Sequence, residues 1–396
     1  MPARKSHLVK LSTLSAIYLI WGAIASLNDL LIPYLKSEFE LTFSQAMRVQ
    51  LVFYVAYFFL SIPCGLLARR YGYRSGILVG LSGAIGGCLL MVAGSQANSY
   101  GFILMAIFVL ASGITMLQVS ANPYATTLGP ESMASSRLTL VQSFHSLGTT
   151  IGPYFGAILI FSSFLAASNN PLLAPYMILA SMLAVITLLF TKLEERSHNT
   201  NNTREGFHLI RLVKANPHLL MGTAGIFFYI GAEISIGSFL VNYLGKQSIA
   251  GMDHGTAGKF VAVYWGFALI GRYAGSIMLR IIAPRRLLLI YSCIAATLVA
   301  TSIGSSGLLA MWSILLVGFF NSIMFPTIFA LTINEVKDEA QSASGVLCLG
   351  IVGGAVISQI QGILADQIGI QLAFILPMLC YVYIAVYALT ALRDKG

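Results

Sequence analysis

Long apolar stretches dominate the sequence, and short polar segments separate them. A helix that crosses the roughly 30 Å hydrocarbon layer of a membrane needs about 20 mostly apolar residues. The chain divides into twelve stretches of about that length, so the pattern predicts twelve membrane-spanning helices joined by short loops. The predicted spans are residues 11–35, 46–68, 76–95, 99–128, 138–162, 174–192, 218–244, 257–281, 287–305, 308–332, 343–365 and 368–391.

The composition agrees with that pattern. Hydrophobic residues make up 57% of the 396-residue chain, charged residues make up only 9%, and the mean hydropathy is +0.82. A soluble domain carries about 25% charged residues, so this chain has too few charges to cover itself with a polar surface. We therefore expect an all-α membrane protein whose outer surface contacts the lipid bilayer.

The basic residues are distributed unequally between the two sides of the predicted helices. Eighteen of the 23 Lys and Arg residues lie on the same side as the N-terminus. Lys36, Arg48, Lys246 and Lys259 lie on the other side, and Arg272 lies inside a span. Because basic residues concentrate in cytoplasmic loops, both termini are expected in the cytoplasm of a multi-pass protein of the bacterial inner membrane. The net charge of +9 then faces anionic lipid, and no nucleic-acid partner is expected.

Two halves of the chain resemble each other. Residues 22–35, GAIASLNDLLIPYL, share six residues in register with residues 231–244, GAEISIGSFLVNYL, and Pro123 is matched in the same order by Pro326. The sequence therefore predicts an N-terminal six-helix half (residues 1–192), a polar cytoplasmic linker (193–217) and a C-terminal six-helix half (218–396). Parallel repeats of this kind place a substrate site between the repeats, near the bilayer midplane.

Two acidic residues lie deep in predicted spans, Asp29 in the first and Glu233 in the seventh. Ionisable groups in the hydrocarbon region are costly and are usually functional. Because the two spans are equivalent in the repeat, we expect both carboxylates to face the central cavity. Each is a candidate ion-coupling group, since a buried carboxylate can take up a proton or hold sodium through its oxygens. The alternative for Glu233 is a structural ion pair with Arg272.

A second set of candidate residues is polar and uncharged. Gln118 and Asn122 lie four residues apart and therefore on one face of a helix. Amides both donate and accept hydrogen bonds, which suits a polyhydroxylated ligand, and an aromatic ring can stack on the C–H face of a sugar. The predicted substrate-binding residues are Asn28, Gln118, Asn122, Gln142, Asn321 and Trp265.

The segment after the second span, residues 65–74 with the sequence GLLARRYGYR, is similar to the short signature loop of the major facilitator superfamily. It has Arg69 at the position where that superfamily usually has Asp. The alternative interpretation is a basic loop that follows only the charge rule for cytoplasmic segments.

Several further segments resemble the fucose permease family of sugar:cation symporters. They are residues 22–33 with the Asn28-Asp29 pair, 118–131, 137–144, 229–233 and 325–329. The resemblance covers nearly the whole chain and implies the twelve-helix major facilitator fold. It also implies import of a hexose-type sugar by symport with a proton or a sodium ion, with Asp29 important for coupling. Beyond the coupling cation no cofactor is implied, and we expect a monomer.

The chain departs from the L-fucose permease pattern at two positions. Gln118 stands where that permease has glutamate, and Glu233 stands where it has glutamine. This arrangement is more similar to the glucose/galactose and N-acetylglucosamine branches of the family. It leaves both a proton and a sodium ion open as the coupling cation.

A proton-coupled exporter of small molecules is the alternative function. Gly148, Gly152, Pro153 and Gly156 partly resemble the antiporter motif of drug exporters, although close helix packing by small residues explains the same glycines. The sequence contains no metal-ligand cluster, phosphate-binding glycine loop or nucleophile–base–acid set, so an enzyme is not expected.

Overall fold

The computed structural model of the chain is almost entirely helical. It describes residues 2–161, 170–192 and 211–393, without the side chains of residues 2–8, 28–30, 33, 43, 44, 153–161, 254, 338 and 391–393. Most of the predicted linker, residues 193–210, therefore lies outside the described residues.

The described residues form twelve long helical segments, which we number in chain order. The first six are α1 (Pro2–Glu38), α2 and α3 (residues 48–71 and 73–96, the two parts of Arg48–Gln96), α4 (Tyr100–Thr127), α5 (Ala134–Phe161) and α6 (Leu173–Thr191). The next three are α7 (Pro217–Leu244), α8 (His254–Met278) and α9 (Pro284–Gly304). The last three consist of more than one part: α10 (Gly307–Asn321 and Met324–Glu335), α11 (Ala340–Leu349, Gly350–Val352 and Gly353–Ile368) and α12 (Ile370–Ala373 and Ile375–Arg393). Short helical turns also occur at Phe43–Ala46, Glu131–Met133 and Lys337–Glu339.

The number of membrane-spanning helices agrees with the sequence pattern. Ten helices in the described ranges are long and apolar enough to cross a membrane. One of them, Arg48–Gln96, has 49 residues and contains a break, so it supplies two spans. Helix α5, with 28 residues, is the remaining span. The prediction of an all-α membrane protein with twelve transmembrane helices is confirmed.

Helices α2 and α3 meet at Gly72 rather than through the seven-residue loop that the sequence pattern predicts. Gly72 has φ +82° and ψ 164°, and helical geometry resumes directly on both sides of it. Residues with a Cβ rarely adopt that positive φ. The basic residues around Gly72 remain in helices because this glycine is the one non-helical residue between α2 and α3.

Polar side chains set the first residues of two helices. The hydroxyl of Ser99 accepts a 3.3 Å hydrogen bond from the backbone N–H of Phe102 at the start of α4. The Oδ1 atom of Asp253 accepts a 3.0 Å bond from the backbone N–H of Thr256 at the start of α8. The hydrogen bonds from the side chain and the backbone of Thr256 lower the pKa of Asp253 below its ordinary value. Both contacts satisfy N–H groups that have no partner inside the helix.

The helices pack into two compact units. Unit 1 comprises Met1–Gly129, Phe144–Leu212 and Asp338–Cys348. Unit 2 comprises Pro130–Ser143, Val213–Lys337 and Leu349–Gly396. The start of α5 therefore belongs to unit 2, and the start of α11 belongs to unit 1. The predicted division of the chain at residues 193–217 stays a prediction, because most of that segment lies outside the described residues.

Pro123 in α4 creates a free acceptor inside unit 1. Proline has no backbone N–H, so the carbonyl four residues earlier loses its helical donor. That carbonyl belongs to Val119, and it accepts a 2.7 Å hydrogen bond from the hydroxyl of Ser344 in α11. The contact connects the start of α11 to α4.

Pro326, which the sequence matches to Pro123 in the predicted repeat, has the same effect inside unit 2. The carbonyl four residues before it belongs to Ser322, at the break between the two parts of α10. It accepts a 3.2 Å hydrogen bond from Nε of Arg272 in α8. In both units the missing N–H of a proline therefore provides the acceptor for a side chain of another helix.

Two of the glycines that resemble an exporter motif lie directly against α1. A Cβ atom at Gly148 would be 2.0 Å from the carbonyl oxygen of Leu19, and one at Gly152 would be 2.1 Å from Oγ of Ser26. The backbone of Leu19 leaves no room for a side chain at Gly148, and at Gly152 the Ser26 hydroxyl would have to move, so these glycines allow α5 and α1 to approach closely. The packing explanation for these two residues is confirmed.

Candidate functional site

Glu233 lies on α7 and is 5% exposed. The hydroxyl of Tyr229, one turn earlier, donates a 2.7 Å hydrogen bond to Oε1. Nη2 of Arg272 in α8 lies 3.3 Å from the same oxygen. The ion pair that the sequence offers as the alternative for Glu233 is therefore present, and the carboxylate has a positive partner inside the span.

Arg272 connects α7, α8 and α10. Besides its contact with Glu233, Nη2 lies 3.3 Å from the hydroxyl of Tyr229, and Nε donates to the carbonyl of Ser322. A guanidinium group stays protonated in proteins, so its charge needs a permanent counterpart when it is buried. Glu233 supplies that counterpart, and the freed carbonyl of Ser322 supplies a further acceptor.

Asn321 belongs to the same buried network. Its Nδ2 donates hydrogen bonds to the hydroxyls of Tyr264, at 2.9 Å, and of Tyr381, at 3.2 Å. Tyr264 also donates to the backbone carbonyl of Glu233 at 3.4 Å. Oδ1 of the fully buried Asn321 has no hydrogen-bond partner among the described residues. A buried acceptor without a donor is costly.

Trp265 lies next to this network on α8. A Cβ atom at Gly237 of α7 would be 3.1 Å from Cζ2 of the indole, so the ring packs against the α7 backbone. The ring centroids of Trp265 and Tyr264 are 5.2 Å apart in an edge-on arrangement. The ring is partly exposed, which leaves part of its surface available for contact.

In unit 1, two tyrosines orient the predicted amides of α4. The hydroxyl of Tyr57 donates a 2.8 Å hydrogen bond to Oε1 of Gln118. The hydroxyl of Tyr18 donates to Oδ1 of Asn122. Gln118 is 6% exposed and Asn122 has no exposed surface. Because each amide uses its oxygen for a tyrosine, the orientation of each amide group is fixed.

The remaining predicted site residues are distributed over both units. Asn28 and Asp29 lie on α1, and their side chains lie outside the described residues. Gln142 is 5% exposed and lies in the segment of α5 that belongs to unit 2. The structure thus brings together Glu233, Asn321 and Trp265 in unit 2, and Gln118 and Asn122 in unit 1.

Sequence reasoning missed most of the tyrosines that complete these networks. Tyr18, Tyr57, Tyr264 and Tyr381 are at most 2% exposed, and each makes a side-chain hydrogen bond to a residue more than 50 positions away. A tyrosine in an apolar helix gives no sequence signal for such a distant partner. Only Tyr229 has a local signal, because it precedes Glu233 by four residues and shares its helix face.

Arg69 of the signature-like segment makes a specific contact. Its Nη2 lies 3.2 Å from Oε1 of Glu339, which directly precedes α11, and both residues belong to unit 1. Close by, a Cβ atom at Gly65 would be 3.0 Å from Cα of Gly345. Arg69 therefore has a role in holding the start of α11 against α2, in addition to following the charge rule.

Within the described residues, twelve apolar helices with polar networks buried inside them define a multi-pass membrane protein. The chain belongs to the Major Facilitator Superfamily, whose sequence profile matches residues 14–358.

Individual relatives agree with this assignment along almost the whole chain. The chain is 44% identical to the glucose/galactose transporter of Brucella abortus, over 98% of this chain and 95% of that protein. It is 30% identical to the L-fucose-proton symporter of Escherichia coli, over 97% and 93% of the two chains. Its structure matches a crystal structure of the E. coli fucose:proton symporter with a TM-score of 0.88 and 28% identity, covering 98% and 99% of the chains. The resemblance to the fucose permease family is confirmed, and this family consists of transporters rather than enzymes.

Proposed function

We propose that this protein imports a hexose-type sugar by symport with a cation, a proton or a sodium ion, across the bacterial inner membrane. The observation that carries the proposal is the 44% identity to a glucose/galactose transporter along 98% of the chain. The E. coli relative named as a proton symporter supports coupling to a cation. The exporter alternative loses its main support, because Gly148 and Gly152 are explained by packing against α1.

Asp29 and Glu233 are the ion-responsive groups in this proposal. Transport that depends on a gradient needs a group whose charge changes when the cation binds, and deep carboxylates can change in this way. The contacts of Glu233 support a coupled role. A proton or a cation at its carboxylate competes with Arg272, which lies 3.3 Å away, and so changes the bonds between α7 and α8.

The sugar contacts in this proposal are the predicted polar residues and the indole of Trp265. Tyrosine hydroxyls orient the amides of Gln118 and Asn122, which reduces the entropy that a ligand would lose on ordering them. Asn321 offers a buried acceptor oxygen. The proposed binding residues are Asn28, Gln118, Asn122, Gln142, Asn321 and Trp265.

Uptake into right-side-out membrane vesicles tests the function. Labelled glucose, galactose and fucose are supplied while a proton gradient or a sodium gradient is imposed, with an ionophore that collapses each gradient as the control. We expect at least one hexose to accumulate with one of the two gradients and not with the ionophore. Binding without accumulation would indicate a sensor, and gradient-driven loss of sugar from loaded vesicles would indicate an exporter.

We further propose that both termini and the 193–217 segment are cytoplasmic and that the protein acts as a monomer. The distribution of Lys and Arg supports this orientation. A single cysteine introduced near Asn201, in a background without the native cysteines, should be labelled only after the membrane is opened. Labelling by an impermeant reagent in intact cells would place this segment outside the cytoplasm and contradict the proposed topology.

A further inference from the structure

Unit 2 contains a second polar region, where α7 and α9 begin and α10 ends. A cavity of about 310 Å³ lies there, and its polar lining consists of Asn216, His218, Arg285, Thr332 and Glu335. None of these residues belongs to the Glu233 network, and none is among the residues proposed to bind sugar. The region therefore needs a separate explanation.

The side chains of Arg285 and His218 both approach one carboxylate in this cavity, that of Glu335. Nη2 of Arg285 donates a 2.9 Å hydrogen bond to Oε1 of Glu335. Nδ1 of His218 lies 3.8 Å from Oε2 of the same residue. Nη1 of Arg285 is buried and has no hydrogen-bond partner among the described residues. One carboxylate therefore faces two basic side chains, and the guanidinium keeps an unused donor.

The helix ends around the cavity add to its positive character. Neither Asn216, before α7, nor Ala283, before α9, caps its helix with a side-chain hydrogen bond. Uncapped helix N-termini carry partial positive charge and attract anions. The adjoining segments also carry exposed basic residues. These are Arg211, Lys214 and Arg280.

We propose that this cavity binds a phosphate group, carried by inorganic phosphate, a phosphate monoester or a lipid headgroup. A phosphate monoester has a charge of about −1.5 to −2 near neutral pH and several strong acceptor oxygens. Arginine is well matched to such a group because its planar donors can form charge-assisted hydrogen bonds. Glu335 opposes the anion and keeps its affinity modest. A bound phosphate connects the starts of α7 and α9, which in the proposed topology face the cytoplasm.

Thermal unfolding of the purified full-length protein in detergent tests the site without any sugar. Sodium phosphate is titrated against sodium chloride at equal pH, sodium concentration and ionic strength. We expect a saturable rise in melting temperature with phosphate only, because a ligand that binds the folded state stabilises it. Arg285→Gln should weaken the apparent affinity for phosphate by about tenfold or more. The exposed neighbour provides the matched control, and Arg286→Gln should leave the affinity unchanged.

A second variant separates loss of the site from poor folding. Glu335→Gln removes the negative charge beside Arg285, so it should tighten phosphate binding, a result that misfolding cannot produce. The proposal is overturned by the absence of a saturable response in the wild type, by an equal response in Arg285→Gln, or by weaker binding in Glu335→Gln.

Lipid nanodiscs distinguish the sources of the phosphate group. The same titration is made in phosphatidylcholine alone and in phosphatidylcholine with phosphatidylglycerol. If phosphatidylglycerol stabilises the wild type but not Arg285→Gln, and also removes the response to phosphate, the site takes a lipid headgroup. If the response to phosphate persists in both lipids, the site takes a free phosphate. An absence of response to either form contradicts the proposal.

Discussion

The guanidinium of Arg272 lies 3.3 Å from the carboxylate of Glu233 within the core of unit 2. Tyr229 contacts both groups, at 2.7 Å from the carboxylate and 3.3 Å from the guanidinium. The pair can serve stability, cation coupling or both, and each role predicts a different result when charges are removed.

Glu233→Gln leaves the charge of Arg272 buried without a counter-ion. We expect the free energy of unfolding to fall by roughly 3 kcal/mol, measured as a lower melting temperature of the purified protein. The double variant Glu233→Gln/Arg272→Gln removes both charges and should regain most of the loss. If this stable double variant also accumulates sugar, the pair is structural. If it does not, the Glu233–Arg272 pair takes part in transport.

Asp29→Asn keeps the hydrogen-bonding capacity of the side chain but cannot titrate or hold a cation by charge. We expect gradient-driven accumulation to disappear, while exchange of labelled for unlabelled sugar across the membrane persists. Asp253→Asn, at an exposed helix start outside the spans, is the matched control and should accumulate sugar normally. Full accumulation by Asp29→Asn under a proton or a sodium gradient would remove Asp29 from the mechanism.

Gln118→Ala removes an amide that contacts sugar in the proposal. We expect sugar affinity, measured by equilibrium dialysis with labelled hexose, to fall ten- to a hundredfold, or by about 1–3 kcal/mol. Tyr57→Phe removes only the hydroxyl that orients Gln118 and should weaken binding less. Unchanged affinity in the alanine variants of Gln118, Asn122, Gln142 and Asn321 would show that this set does not bind the sugar.

Arg69→Glu places two carboxylates where the structure has an ion pair with Glu339. We expect a lower melting temperature, by the equivalent of about 1 kcal/mol for a partly exposed pair, and a smaller effect at high salt. The exchanged pair Arg69→Glu/Glu339→Arg should recover the loss, and Arg70→Glu at the exposed neighbour should change little. If the exchanged pair is as unstable as the single variant, loss of this ion pair does not explain the lower melting temperature.

Gly148→Ala tests the contact between α5 and α1. Its new Cβ would be 2.0 Å from the carbonyl of Leu19, so the helices must separate, and we expect a large loss of folded protein. Gly86→Ala in α3 is the matched control, because a Cβ there has no neighbour within 4 Å. The control should be neutral or gain up to about 1 kcal/mol from helix propensity. Size-exclusion profiles and melting temperatures of both variants give the comparison, and equal stability would exclude tight packing at Gly148.

The fold was largely predictable because span length and charge distribution are local properties of the sequence. The junction at residues 69–75 was not predicted, since a single non-helical glycine separates the two helices there instead of a loop. Glu233 and Arg272 were predictable as partners because ionisable residues are rare in apolar helices. The bond from Tyr18 to Asn122 was not, because it joins residues 104 positions apart. The sequence also did not predict that the start of α11 packs in unit 1. This packing depends on contacts between residues far apart in the chain, such as Ser344 and Val119.

The two prolines place a constraint on how this sequence can diverge. The carbonyl of Ser322 has no helical donor at residue 326, because proline lacks an N–H, and Arg272 donates to it instead. A descendant that replaces Pro326 with another residue gains an N–H that competes with the arginine for this carbonyl. Substitutions at positions 272 and 326 should therefore be inherited together, and the same coevolution should link position 344 to position 123. In each unit, a proline and a side chain from another helix are therefore expected to change together during evolution.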